Sequence, residues 1–562
     1  MKLVIVGGVA GGASAAARAR RLSESAEIVL IERGPDVSFA NCGLPYYLGG
    51  KIVDRNKLLI VTPQRMRERF RLDVRTRTNV ERIDRQAKRI TVRELDTGRQ
   101  YEESYDKLLL SPGAAPILPN LPGVDSPAIQ VLRNLGDTDR IHKLLSSGVK
   151  TAVVIGAGFI GLEMAENLAA RGVATTVVEL QEQVLPPFDR ELTAPIVAAL
   201  KAHNVRLILG QSAEAFEATQ DGVNVVLKSG ERLPAQLVVL SVGVRPENQL
   251  AVDAGLDVGP RGGIRVDSGM RTSDPDIFAV GDAIETRDFV SETPTQVPLA
   301  GPANRQGRIA ADQIFGRDSR FRGTQGTAIV GVFSTAAAMT GATEKALVRL
   351  KMPFRKVYVH PMNHAGYYPG AEQMTLKLLF APDTGKILGA QAVGGAGVDK
   401  RIDVIAVAIQ AGMTVYDLEE VELTYAPQFG SAKDAVNMAG FVAAGMLRGD
   451  HPQISVEQLS TIGHTDGRTP YLLDVRTADE FAAGNLPEAI NIPIDELRHR
   501  LNELPQDRPI VAYCQVGQRG YLATRILKQA GYDVVNLSGG YRSYRQFEST
   551  EPQPKLVSTH GI

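Results

Sequence analysis

The sequence predicts an α/β protein of several domains, and three observations carry that reading. An apolar run, Lys2–Val6, meets a glycine-rich turn and an alanine-rich helix. The same strand, turn and helix order recurs from Lys150 to about Arg171, and a smaller α/β pattern restarts near Tyr471. A strand that is apolar along its length is one covered on both faces, which is the signature of a parallel sheet with crossover helices. A chain of 562 residues accommodates roughly three to five such domains. Lys+Arg and Asp+Glu both number 63, so neither a nucleic-acid-binding basic excess nor an acidic tail is expected. Met1 leads straight into a strand with no charged-then-apolar leader, and the apolar runs are too short to cross a bilayer. Two cysteines cannot build a disulfide framework and read as reactive thiols in a reducing, cytoplasmic compartment.

In the first unit Gly7-Gly8-Val9-Ala10-Gly11-Gly12 precedes a helix expected over Ala13–Leu22, and a second apolar run, Ile28–Ile31, ends at Glu32. Small residues let the backbone approach a pyrophosphate at the helix N-terminus, and an acid at the end of the second strand bonds a ribose hydroxyl. Val9 stands where the middle glycine of the usual pattern falls. Next comes Ser38–Tyr47, around which the rest is organised, with Cys42 between Asn41 and Gly43. A free cysteine is ordinarily a small buried apolar residue. Its turn-like setting here points instead to a reactive thiol.

The second unit repeats the logic with Gly156-Ala157-Gly158-Phe159-Ile160-Gly161, then Thr175–Val178 ending at Glu179. This is a complete dinucleotide fingerprint. Glu179 would accept from a 2′-hydroxyl and repel a 2′-phosphate, and Leu180 and Gln181 offer that phosphate no cation, so NADH is favoured over NADPH. Two further segments stand out, Ser111–Pro116 and Thr272–Ala283. The second reads as a short strand, Ile277–Val280, ending at Gly281-Asp282, where a carboxylate can hold a polyol chain. Read blandly, Gly-Asp is a turn.

The order of these elements resembles the pyridine nucleotide-disulfide oxidoreductase family over about residues 1 to 445. The resemblance implies an FAD-binding domain split between 1–115 and 240–322, an NAD-binding domain at 116–239, and an α+β dimerisation domain at 323–446, hence a homodimer. It implies FAD contacts at Gly7, Gly8, Val9, Ala10, Gly11, Gly12, Glu32, Arg33, Ser111, Gly113, Gly281, Asp282, Pro298, Leu299 and Ala300. Nicotinamide dinucleotide contacts fall at Gly156, Gly158, Phe159, Ile160, Gly161, Glu179 and Gly243. With Cys42 unaccompanied, the chain is similar to the single-cysteine branch: coenzyme A-disulfide reductases, NADH peroxidases and NADH oxidases. The peroxide- and oxygen-reducing members carry a histidine in the first glycine loop, where Ala10 stands here. Ser14, Arg18, Arg21, Ser38, Phe39 and Asn41 match coenzyme A contacts, with Arg305 and Lys433 as further candidates. Arg18 and Arg21 are three apart, neighbours on one helix face.

In the dimerisation region Gly326–Phe333 and Thr375–Phe380 read as strands and Asp399–Ala411 as a packed helix. Tyr367 and Tyr368 lie in Asn363–Pro369, and Tyr425 in Leu423–Phe429. The resemblance implies that tyrosines of these motifs come from the partner subunit and lie over the thiol. A phenol there can hydrogen-bond a thiolate or protonate a leaving sulfur. They also read simply as core or interface aromatics.

After a linker, Met446–Gln453, the third pattern brings a strand at Tyr471–Arg476, a capping-box spacing at Thr477–Glu480, Ala489–Pro493, and a strand from Pro509 that delivers Cys514 into a loop opening a helix. Backbone N–H groups of such a loop form an anion nest. Residues 455–548 resemble a rhodanese domain. The resemblance implies that Cys514 carries sulfane sulfur with Arg519 closing the loop. Its usual His-Ile-Pro-Gly is Asn485-Leu486-Pro487-Glu488 here, and 549–562 reads as a loose tail. The expectation is an α/β chain with FAD, NAD, dimerisation and rhodanese domains, holding no metal. It would use NADH to reduce coenzyme A persulfide or polysulfide at Cys42 and release hydrogen sulfide, with Cys514 relaying sulfur. The alternatives are a coenzyme A-disulfide reductase for thiol balance and a redox-sensing binding protein.

Overall fold

The computed structural model describes residues 1–460, 462 and 469–550. Two compact units divide the chain: Met1–Leu180 with His203–Thr324, and Gln181–Ala202 with the remainder from Gln325.

The first unit holds two parallel five-stranded sheets. In one, the order is Ile277–Ala279, Lys107–Leu110, Lys2–Val6, Glu27–Ile31, Asp73–Arg75. Lys2–Val6 sits at the centre, Ile5 opposite Leu30 on one side and Leu109 on the other. Leu3, Val4 and Ile5 are fully buried, as a strand covered on both faces must be. The other sheet orders Arg206–Leu209, Ala174–Glu179, Thr151–Ile155, Leu237–Leu240 and Ile129–Val131. Antiparallel three-stranded sheets flank them at Thr78–Ser104 and Ala213–Ala235. The first helix runs Ala10–Leu22, starting three residues before the expected Ala13. Its first turn needs small residues: a Cβ on Gly11 would lie 2.8 Å from a Val280 methyl, and one on Gly307 of helix Ala300–Ile314 would lie 2.1 Å from the Gly11 carbonyl oxygen.

The second unit opens on an antiparallel sheet, Ala328–Val332, Thr335–Gly341, Ile387–Gly394, Thr375–Phe380, Arg355–Val359, covered by helices Val398–Ala411 and Ala435–Leu447. Strand Thr375–Phe380 is buried at every position, Lys377 included. The Lys377 ammonium is matched by Asp189, Glu191 and Glu344 at 2.8, 2.7 and 2.6 Å. These three carboxylates are close enough together to suit a metal ion, and the lysine already fills the space between them. A buried lysine stands only when so paired.

The last sheet is parallel, Gln453–Ile454, Val534–Leu537, Ile510–Tyr513, Tyr471–Asp474, Ile490–Asn491. Its domain is not a separate body on a linker, as the Pro/Gly content of 446–453 suggested. Helix Gly540–Thr550 docks on the antiparallel sheet of the same unit. The His360 ring is fully enclosed between Thr375 Oγ1 at 3.0 Å and Ser543 Oγ at 2.9 Å, and Gln546 donates to Thr375 Oγ1 at 2.9 Å. Linker residue His451 is itself buried against Asn536. Of the expected tail, 549 and 550 end this helix, and 551–562 lies outside the described residues.

Candidate active site

Strand Lys2–Val6 ends in a cradle built for close approach. Gly7 has φ +97°, and a Cβ there would stand 2.0 Å from the Ser111 carbonyl oxygen. Helix Ala10–Leu22 starts after Val9 with no side-chain cap, so its first N–H groups face outward without a protein acceptor. Glu32 braces the turn from behind, accepting from Gly8 N–H at 2.8 Å and Gly34 N–H at 2.7 Å. The arrangement fits a dinucleotide pyrophosphate. Arg33 reaches Glu247 at 2.9 Å, which also pairs with Arg133. Gly281 N–H donates to Gln306 at 2.9 Å, and burial raises the neighbouring Asp282 carboxyl above its usual range. Pro298 and Leu299 lead into helix Ala300–Ile314. Gly113, at φ +77°, closes the loop after Ser111.

The second cradle has the same build. Gly156 takes φ +101° with a would-be Cβ 2.4 Å from the Ser241 carbonyl oxygen, and open space surrounds Gly158. Gly158 is the uncapped start of helix Phe159–Ala170. Glu179, at the end of its strand, accepts from Ala157 N–H at 2.7 Å. Ile160 is exposed on the helix, and Gly243 turns the chain with φ +113° after the strand Leu237–Leu240.

Cys42 sits on a single 3₁₀ turn, Asn41–Gly43, running into the short helix Leu44–Leu48. Its approach is strained: Ser38 takes φ +47°, a left-handed conformation rare for a residue with a side chain. The strain is locked by Ser38 N–H to the Gly8 carbonyl at 2.9 Å, and Phe39 bridges to Leu59. Cys42 is exposed at its surface, yet the chain crowded around the thiol partly desolvates it and raises its pKa, and the Glu163 carboxylate adds to the rise. Glu163, on helix Phe159–Ala170, accepts from the Tyr46 hydroxyl at 3.3 Å. Burial raises its own carboxyl to about 7. The beginning of the second cradle's helix therefore reaches the thiol electrostatically, and sequence reasoning missed Glu163. The signal was available: it lies one helical turn beyond Phe159 on the same face.

The coenzyme A candidates divide. Ser14 donates to Asn304 at 2.7 Å, which joins the helices carrying Ser14 and Arg305. Arg21 and Arg305 are exposed. Arg18 is not the open cation that its spacing from Arg21 suggested: it is paired with Asp312, its Nε at 2.8 Å and a terminal nitrogen at 2.6 Å. Asn41 donates to the Arg133 carbonyl at 3.3 Å.

In the second unit the Tyr367 and Tyr425 hydroxyls meet at 3.0 Å, both rings exposed, with Tyr368 beside them. The hydrogen bond that the Tyr367 hydroxyl shares with Tyr425, in which either can donate, raises the Tyr367 phenol. Both tyrosine loops hang from one buried ion pair that the sequence did not flag. Arg401 meets Asp434 at 2.6 Å and also donates to the Asn363 carbonyl at 2.8 Å, while Ala365 N–H reaches the Pro427 carbonyl at 3.2 Å. Lys433, beside Asp434, is exposed.

Strand Ile510–Tyr513 delivers a buried Cys514, whose sulfur accepts from Gly517 N–H at 3.2 Å. Gly517, φ +96°, starts helix Gln518–Gln529. The loop is held from behind by Tyr541 N–H to the Cys514 carbonyl at 2.8 Å and Arg542 N–H to that of Gln515 at 3.0 Å. Glu488 takes φ +63° where the usual motif has glycine.

The profile described as pyridine nucleotide-disulphide oxidoreductase matches residues 1–307, and that family's dimerisation domain matches 327–435. The chain belongs to the pyridine nucleotide-disulphide oxidoreductase family. Family membership implies FAD and a nicotinamide dinucleotide, and two uncapped glycine cradles are present to hold them. A rhodanese-like domain matches 455–547. A coenzyme A disulfide reductase of Staphylococcus aureus is 36% identical over 444 residues, 79% of this chain and 99% of its own length. The reduced CoADR-RHD of Bacillus anthracis superposes with a TM-score of 0.94 at 49% identity, covering 97% of this chain and 98% of its own. An NAD-dependent persulfide reductase from A. fulgidus gives 0.89 at 36% identity, over 97% and 100%. Within this oxidoreductase family, then, the likeness extends through the appended rhodanese-like domain.

Proposed function

We propose that the chain is an NADH-dependent flavoprotein reductase of coenzyme A persulfide and related sulfane sulfur, acting as a homodimer. The observation that carries the reading is the presence in one chain of two differently built thiol sites. Cys42 adjoins the two dinucleotide cradles, and Cys514 lies in a sulfur-carrier loop. Bound FAD would supply two-electron transfer between the nicotinamide and sulfur. Cys42, as thiolate, attacks the carbon-bound sulfur of R–S–SH. A Cys42–S–S–R bond forms, the original sulfur–sulfur bond breaks, and hydrosulfide leaves with its electron pair. Two electrons and a proton then return Cys42 as thiolate and R–SH. Glu163, titrating near neutrality, is placed to hold the Cys42 thiol as acid or relay its proton, with Tyr46 steadying it. Ser14, Arg21, Ser38, Phe39, Asn41 and Arg305 would hold the coenzyme A arm. Tyr367, Tyr368 and Tyr425 would be offered to a partner subunit's thiol, and Lys433 to the coenzyme A arm. Glu179 would select NADH.

A second reading, reduction of coenzyme A disulfide, is favoured by the match to the staphylococcal reductase and uses the same thiol. Steady-state NADH oxidation with coenzyme A persulfide and with coenzyme A disulfide separates the two. The persulfide is expected to give the higher kcat/KM. Cys42→Ser should keep its bound flavin and lose both activities. Substantial residual turnover in that variant would remove Cys42 as the nucleophile.

A further inference from the structure

The Cys514 loop ends in a single cation, and the fold neutralises it. The terminal nitrogens of Arg519 donate to the two carboxylate oxygens of Glu480, both at 2.7 Å. Glu480 is fixed in turn by the capping box: Thr477 N–H donates to it at 3.0 Å and the Thr477 hydroxyl at 3.2 Å. The Arg519 guanidinium holds this carboxyl near about 2, so it stays charged at any working pH. A second arginine touches the loop, Arg476 donating to Gln515 at 3.2 Å. Its charge is matched by Asp474 at 2.6 Å, both side chains buried. His451, which reaches the loop through Asn536 and the Gly517 carbonyl, is kept neutral by burial, its pKa lowered to about 4. Two guanidinium groups therefore face two carboxylates; Arg519, part-exposed, also reaches the Cys514 sulfur, so its charge is shared between Glu480 and the thiol, and the loop's backbone N–H groups supply the rest.

Sulfane donors differ in how much charge they bring. From thiosulfate, the Cys514 thiolate bonds the outer sulfur, the sulfur–sulfur bond breaks, and the electron pair leaves on sulfite as a dianion. From an alkyl persulfide, the same bond to the outer sulfur forms and the pair leaves on the thiolate RS⁻, which takes the persulfide proton to become RSH. Neither step changes the net oxidation level; the sulfane sulfur moves and one charge suffices for the second route. Desolvating a dianion without an unmatched cation is costly.

We propose that Glu480 is a specificity-determining residue of the rhodanese site: by pairing Arg519 it turns Cys514 away from dianionic donors such as thiosulfate and toward thiol-bound persulfides. The inference rests on the reading of Cys514 as a sulfur carrier. The test uses the full-length chain with Cys42→Ser, so that only Cys514 is loaded, and follows the gain of one sulfur on the Cys514 peptide by mass spectrometry. Glutathione persulfide and thiosulfate are the two probes. Before any further variant, the persulfide should load at least about tenfold faster, the scale of one charge-assisted hydrogen bond. Glu480→Gln keeps a side chain that closes a capping box. It should raise thiosulfate loading roughly tenfold and change persulfide loading by less than about threefold. Equal loading by both donors before that substitution, or an unchanged ratio after it, overturns the inference while the carrier reading stands. No loading by either donor overturns both.

Discussion

At the exposed Cys42, partial desolvation and the Glu163 carboxylate act in the same direction, each opposing the thiolate. Glu163 is protonated below about pH 7 and charged above it, so its opposition is strongest where a thiolate is needed. Glu163→Gln removes that charge, and the alkylation of Cys42 by iodoacetamide should then reach its midpoint at lower pH, by about 0.5–1 unit. A midpoint that stays put or rises would detach Glu163 from the thiol. The other acid open to test is Glu179. It accepts the Ala157 N–H at 2.7 Å at the strand end, the position from which an acid reads a ribose hydroxyl. Glu179→Ala should shift preference toward NADPH by about 1–3 kcal/mol, read as the ratio of kcat/KM for the two nucleotides. The Thr477 capping box was legible because its partners are three residues apart. The Arg519–Glu480 pair was not, because a 39-residue separation is closed only by the sheet.

Among the elements, helix Gly540–Thr550 has two tasks. Its N-terminus holds the Cys514 loop, and its flank locks onto strand Arg355–Val359 and its neighbour through His360. Burial, and then the Arg542 charge, lower the His360 pKa to about 3 from 6.5. Above pH 6.5 the ring is neutral in both folded and unfolded chains. Below it the unfolded chain takes up a proton that the folded chain refuses, so stability falls as pH drops from 6.5 toward 3. Each unit across that window is worth at most about 1.4 kcal/mol. His360→Gln, which can still donate and accept, should flatten the pH dependence of the melting temperature over this range. An equally steep variant would place the acid sensitivity elsewhere. Residues 540–548 of the helix lie within the rhodanese resemblance and only 549 and 550 read as tail; its docking through Ser543 and Gln546 was not legible, because their partners His360 and Thr375 lie far back in the chain.

For the whole molecule, Cys42 belongs to the first compact unit and Cys514 to the second. If Cys514 is a relay, Cys514→Ser should spare NADH oxidation by small persulfides that reach Cys42 directly. It should abolish oxidation driven by sulfane sulfur that must first be handled at the loop, such as a protein-bound persulfide. Equal loss with both donors would make Cys514 part of the reductive step, and no loss with either would make the domain a passenger. Within the second unit the Cys514 domain is packed on the antiparallel sheet through Ser538, Ser543 and Gln546.

Strands apolar along their whole length, two glycine turns with an acid at the next strand end, and a cysteine at a strand-to-helix loop were enough for the sequence alone to determine the α/β class, the cradles and both thiols. These are local patterns, written in consecutive residues by the periods of strand and helix. Only the tertiary structure decided which charges remain available. Arg18 is matched by Asp312, Arg519 by Glu480, Lys377 by three acids and Arg401 by Asp434. Such pairs join residues distant in sequence. Whether an arginine is an anion site or half of an ion pair depends on which carboxylate the fold sets within hydrogen-bonding distance.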